Sequence, residues 1–156
     1  MVFDPDILSK AAISFFDNHF NCSESMLLAF SKELKVESPI IPMIATPFGS
    51  GIGRLCQECG VLTGGIMVIG LIYGRKKAEE TVKREESYTL SRAFYNQFNE
   101  KVGTVKCIEI QGSNLLDLEA SRIRATERHK LCTHVLDVSV RLLVDLINKK
   151  EAQQLR

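Results

Sequence analysis

The chain has 156 residues, 45% of them hydrophobic and 25% charged, with a net charge of +1. That length suits one domain with a core of its own (1–156), and the balanced charge argues against a nucleic-acid or anionic-membrane surface. The opening "MVFDPDILSK" has neither a basic n-region nor an apolar h-region, so the expected location is the cytoplasm.

The first helix is predicted from "FDPDILSKAAISFFDN", with Asp4 as cap and Pro5 in the first turn, where its missing N–H costs nothing. Ile7, Ala11 and Ile13 to Phe16 are its expected core positions, and Asn18 and His19 its end. A second helix begins at "NCSESMLLAFSKEL". Asn21 with Glu24 forms a capping box, and Met26, Leu27, Phe30 and Leu34 line one face. Cys22 then stands at the mouth of that helix.

"ESPIIPMIATPFGSGIGR" predicts a short helical turn near Ile41 to Ala45 and a tight loop over Phe48 to Arg54. Gly49, Gly51 and Gly53 make a G-x-G-x-G pattern with no preceding strand and no following Lys-Ser/Thr, which argues against a nucleotide loop. Helix resumes at Leu55 or Gly60 and runs to Gly74. The apolar run Val61 to Tyr73 is shorter than the roughly 20 residues a membrane span needs, so it predicts a buried helix and no span. Interior glycines cost a helix about 1 kcal/mol each relative to alanine. Gly60-x-x-x-Gly64 and Gly70-x-x-x-Gly74 therefore predict close approach of something to this helix: a neighbouring helix, a cofactor, or a second copy in a homodimer.

Lys76 to Phe98 is predicted as one helix, its solvated first half carrying Glu79–Lys83 and Glu80–Arg84 at i, i+4. "GTVKCIEIQG" is rich in Val, Thr and Ile, but one strand without a partner forms no sheet; a short helix ended by Gly112 is expected. The last element, around "LCTHVLDVSVRLLVDLINKK", has a stripe at Leu131, Val135, Val138, Leu142 and Leu146, widened by Cys132, Leu136, Leu143 and Ile147. The fold class is all-α: a single-domain helical bundle around a central glycine-rich buried helix.

Five cysteines, an odd number, exclude a complete disulfide framework within one chain. Core packing, metal ligation and redox chemistry remain. Cys22 and Cys59 sit at predicted helix starts, where the dipole and free N–H groups favour thiolate, the form that attacks disulfides and binds metals. Arg54 is positioned to hold a thiolate charged or to clamp an anion. Two four-ligand sets can be drawn. One is Cys56-x-x-Cys59 with His129-x-x-Cys132, whose local spacing suits zinc. The other takes Cys22, Cys59, Cys107 and Cys132 from four separate elements. A cysteine-protease arrangement of Cys59 and His129 has nothing specific behind it.

The order of "NCSESML", "CGVLTG" after "FGSGIGR", "KCIEIQG" and "KLCTHVL" resembles the redox-active family with a Cys…Cys-Gly-Ala-x-x-Gly…Cys…Cys pattern, the C_GCAxxG_C_C family, over roughly residues 8 to 145. Val61 stands where that family has alanine, which adds bulk beside Cys59. Cys56 lies outside the family's four cysteines. The resemblance favours the set 22, 59, 107 and 132. It implies either thiol–disulfide exchange with a redox partner, or a module in which four thiolates hold zinc or an iron–sulfur cluster. In the exchange reading Cys59 attacks, Cys22 or Cys132 resolves, and Gly60, Gly64 and Arg54 shape the surroundings.

Overall fold

The computed structural model describes residues 1–154. The helices are α1 (Pro5–Asp17), α2 (Cys22–Glu33), α3 (Ile40–Ala45), α4 (Gly49–Ile52), α5 (Gly60–Tyr73), α6 (Thr81–Val102), α7 (Cys107–Gln111), α8 (Leu118–Ile123) and α9 (Ala125–Gln154). A 3-10 turn over Thr46–Phe48 joins α3 to α4, a single turn whose Ser50 and Gly51 have left-handed rather than helical φ/ψ. The protein is all-α: no strand forms among the described residues, and an isolated antiparallel bridge pairs Glu58 with Lys106. Among the described residues no helix is long and apolar enough to cross a membrane.

The caps act as their chemistry predicts. Asp4 accepts from the backbone of Asp6 and Ile7, and Asn21 and Glu24 close both halves of a capping box at α2. Gly112 ends α7 in the left-handed conformation at φ 76°, the stop expected for a helix this short.

At the centre α5 packs against α2, α6 and α9, while α1 lies across α2 and α9. The closeness of α5 to α2 follows from two glycines. A Cβ on Gly64 would lie 2.7 Å from the backbone oxygen of Ser23, and one on Gly60 would lie 2.4 Å from Cys22 Sγ. Gly65 leaves similar room for the Phe94 ring of α6. The second glycine pair behaves differently. Gly70 is exposed, and a Cβ there would meet nothing within 4 Å, so the close-packed face covers only the first turns of α5.

Other expectations shift in register. In α1 the buried residues are Leu8, Ser9 and Ala12, whereas Ile7 is exposed, on a helix packed against both α2 and α9. In α9 Val135, Leu136, Leu143 and Ile147 are buried as expected and Val140 joins them, whereas Leu131 lies at the surface and Val138, Leu142 and Leu146 are half-buried. The helix expected from Lys76 begins at Thr81 instead. Glu80 turns back to accept from the backbone N–H of Lys76 and Lys77 and pairs with Lys83 at 2.7 Å. That local turn competes with the first helical turn, and Arg84 pairs with Glu85 rather than Glu80.

Candidate functional site

The site lies where the starts of α2 and α5, the short α7 and the first half of α9 converge. Cys22 is the first residue of α2, Cys59 caps α5, Cys107 opens α7, and Cys132 stands two turns into α9. These four thiols, drawn from four elements, line one cavity of about 240 Å³. Cys59 and Cys107 are buried in its wall, and Cys22 and Cys132 are partly exposed. Val61 also lines it, so the bulk that replaces alanine faces the cavity itself. All five cysteines are free thiols.

The segment before α5 is built from backbone that side chains rarely adopt. Ser50, Gly51, Ile52, Gly53 and Arg54 all have positive φ, as does Cys56. Left-handed backbone costs a non-glycine residue about 1–2 kcal/mol, and such strain persists only where surrounding contacts hold it. Here the turn fits tightly under the cavity. A Cβ on Gly51 would stand 2.6 Å from Cys107 Cβ, and Ser50 reaches the cavity wall beside Cys22. Gly60 and Gly64 act as spacers that admit Cys22 and the α2 backbone, not as lining of the cavity.

Electrostatics reverse one expectation. The helix starts do present N–H groups to sulfur: those of Ser50, Ser23 and Gly60 lower the Cys22 pKa, and those of Val61 and Leu62 lower that of Cys59. Burial outweighs them. Desolvation raises Cys22, and raises Cys59 well above the ordinary thiol range, helped by the neighbouring Cys22 and Cys107. Desolvation also pushes Cys107 and Cys132 up to about 12, and for Cys132 nearby Arg128 only partly opposes this. Cys22 raises each of the other three in turn, as expected of sulfurs that share one space. At neutral pH the cavity holds thiols, not resting thiolates.

Arg54 is exposed and does not line the cavity; the arginine on its wall is Arg128. His129 lies there too, its Nε2 2.9 Å from Asp17 Oδ1 and its ring stacked on Phe16 at 4.8 Å between centroids. Arg128 and His129 precede Cys132 by one helical turn, a spacing that by itself puts them on the cysteine's face of α9. Ser50 and Gln111, also on the wall, carry no such signal in the sequence, because only the folded loop and α7 bring them in.

Cys56 is buried away from the cavity wall, in a small apolar cluster with Cys107 and Leu115. Its sulfur lies 3.4 Å from the Arg54 carbonyl and 3.8 Å from that of Ser113. The set Cys56, Cys59, His129 and Cys132 is therefore not assembled on one cavity, while the set 22, 59, 107 and 132 is. Among the described residues no group of three or more His, Cys, Asp or Glu side chains is arranged to hold a metal ion.

No curated protein and no solved structure matches the chain. The family described as "Putative redox-active protein (C_GCAxxG_C_C)" matches residues 20–146, a span that holds all four cavity cysteines. The chain belongs to that family.

Proposed function

We propose that the protein is a cytoplasmic thiol–disulfide exchange protein whose working dithiol is Cys22 with Cys59. One observation carries this reading: the four cysteines of the family pattern line a single cavity. Within it Cys22 is the better nucleophile. It is partly exposed and has the backbone N–H groups of Ser50, Ser23 and Gly60 near its sulfur, whereas Cys59 is buried and the more strongly raised of the two. The roles expected from the sequence are thus exchanged, with Cys22 attacking and Cys59 resolving. The side-chain-free Gly60 brings the Cys22 sulfur against the residue next to Cys59.

In the first step Cys22 loses its proton and attacks a partner disulfide, forming a mixed disulfide and releasing one partner thiol. Cys59 then attacks the Cys22 sulfur and expels the second partner thiol, which takes up the Cys59 proton. Two electrons pass from the protein to the partner disulfide.

Zinc and iron–sulfur clusters take the same donor chemistry, since four thiolates suit both. As placed, however, no three of the described side chains form a ready ligand set, so disulfide exchange comes first. The test is to reduce the protein anaerobically, assay iron and zinc, then oxidise it with glutathione disulfide and count thiols. Loss of the Cys22 and Cys59 thiols as a linked pair, located by fragment mapping and absent in both Cys22→Ser and Cys59→Ser, supports the reading. Stoichiometric metal that disappears in the same variants overturns it in favour of a metal centre.

A further inference from the structure

We infer that Cys56, the cysteine outside the family pattern, is the resolving thiol for Cys107, so that the chain carries a second dithiol beneath the cavity. This rests on the exchange reading above, and adds to it a reactive residue and a destination for oxidising equivalents. Cys107 faces two ways: it lines the cavity, and it packs directly on Cys56 in the small cluster with Leu115.

The backbone holds the two residues side by side. Cys107 N donates to Gln57 O at 2.7 Å, Ile108 N to Cys56 O at 3.1 Å, and Cys59 N to Val105 O at 2.8 Å, around the Glu58–Lys106 bridge. In a regular ladder of this register Cys56 stands opposite Ile108, and alternation sends it to the face opposite Cys107. The left-handed backbone of Cys56, at φ 56°, breaks that alternation and lets its side chain meet Cys107. Cys56 follows the left-handed run of Ser50 to Arg54, which leaves a buried thiol touching a second thiol beside a β-bridge. Gln111 Nε2 also stands 3.8 Å from Cys56 Sγ, a donor aimed at the sulfur.

The step requires a disulfide of the low-molecular-weight glutathione class as oxidant. Cys107, reached through the cavity, exchanges with it to give a mixed disulfide and one free small thiol. Cys56 attacks the Cys107 sulfur, the mixed S–S bond breaks, and the second small thiol leaves with the proton Cys56 loses. The product is a Cys56–Cys107 disulfide, and the oxidant has gained two electrons and two protons.

The experiment uses the full chain, reduced, exposed to glutathione disulfide, quenched in acid, blocked at free thiols and cut at glutamate. Every cysteine falls in its own fragment, since Glu58 parts Cys56 from Cys59. The expected result is the Cys56 fragment joined to the Cys107 fragment. In Cys56→Ser, and in Cys56→Ala as a second variant, Cys107 should instead accumulate as the glutathione mixed disulfide by at least about tenfold, because the resolving attack is lost. Reversible oxidation elsewhere in the cavity with Cys56 still blocked as a free thiol overturns this inference alone. Absence of any oxidisable thiol overturns the exchange reading and this inference together.

Discussion

The chemistry of single residues is governed here by desolvation. A thiol raised to about 12, as Cys107 and Cys132 are, exposes far less thiolate at pH 8 than an ordinary one near 8.5. Alkylation of these two in the folded protein should therefore be slower than in the urea-unfolded chain by on the order of a thousandfold. Its rate should keep climbing through about pH 10, where the unfolded control has levelled off; fragment-resolved mass spectrometry reads both. Glycine substitutions offer a second test at this scale. Gly64→Ala drives a Cβ into the Ser23 carbonyl of a packed helix and should cost about 1–3 kcal/mol by overpacking. Gly70→Ala meets open space and should stabilise by up to about 1 kcal/mol. Equal melting shifts for the two variants would show that the α5–α2 contact is not what the glycines serve.

Among the elements, the pairing of α1 with α9 decides which faces are buried. Leu8 is buried where α1 packs on α2 and α9, and Ile7 is exposed. Leu8→Ala should lose about 2–5 kcal/mol, and Ile7→Ala no more than about 0.5 kcal/mol, in urea denaturation. The same contact has a polar seam. Ser9 Oγ donates to Asp137 Oδ1 at 2.5 Å, and Arg141 bridges Asp137 and Asp6 at 2.9 and 2.8 Å. Burial pulls the Asp137 carboxyl up, but Ser9 and Arg141 together hold it below its usual value. A carboxylate depressed in the folded state adds stability above its unfolded pKa near about 4, and that stability is lost as the pH falls through the folded value. Asp137→Asn should accordingly lower the melting temperature at neutral pH and shrink the further loss seen below about pH 4. An unchanged acid limb would mean that Asp137 does not carry this pH dependence.

For the molecule as a whole, the four cysteines reach one cavity only because four elements are assembled first, so fold and site stand or fall together. Gly60→Ala tests the link. A Cβ there meets both Cys22 Sγ and, at 3.0 Å, the carbonyl of Phe48. Oxidation of the Cys22–Cys59 pair by glutathione disulfide should slow by about tenfold or more, beyond what the Gly64→Ala control shows at matched stability, because exchange depends on access to the attacked sulfur. A rate unchanged from wild type would mean the pair does not work across Gly60.

Much of this is legible along the chain. Capping chemistry at Asp4 and Asn21, the stop at Gly112 and helical periodicity are local, and local chemistry sets the α-helical class and most element positions. The four-cysteine order likewise marks the family without any fold. What needed the tertiary structure was whatever depends on a neighbour distant in sequence. Periodicity gives a helix a face but not the azimuth at which another helix covers it, so Ile7 yields its expected core place to Leu8, and Leu131 is exposed while Leu136 of the same expected stripe is buried. Helix starts favour thiolates, yet the pKa follows total burial, and burial is a property of the assembled cavity. Arg54 beside the motif turns outward on a left-handed turn, while Arg128, one helical turn before Cys132, takes the wall. The contact of Cys56 with Cys107 exists because a bridge between distant segments and a strained φ bring them together, and neither is written in the spacing of the cysteines.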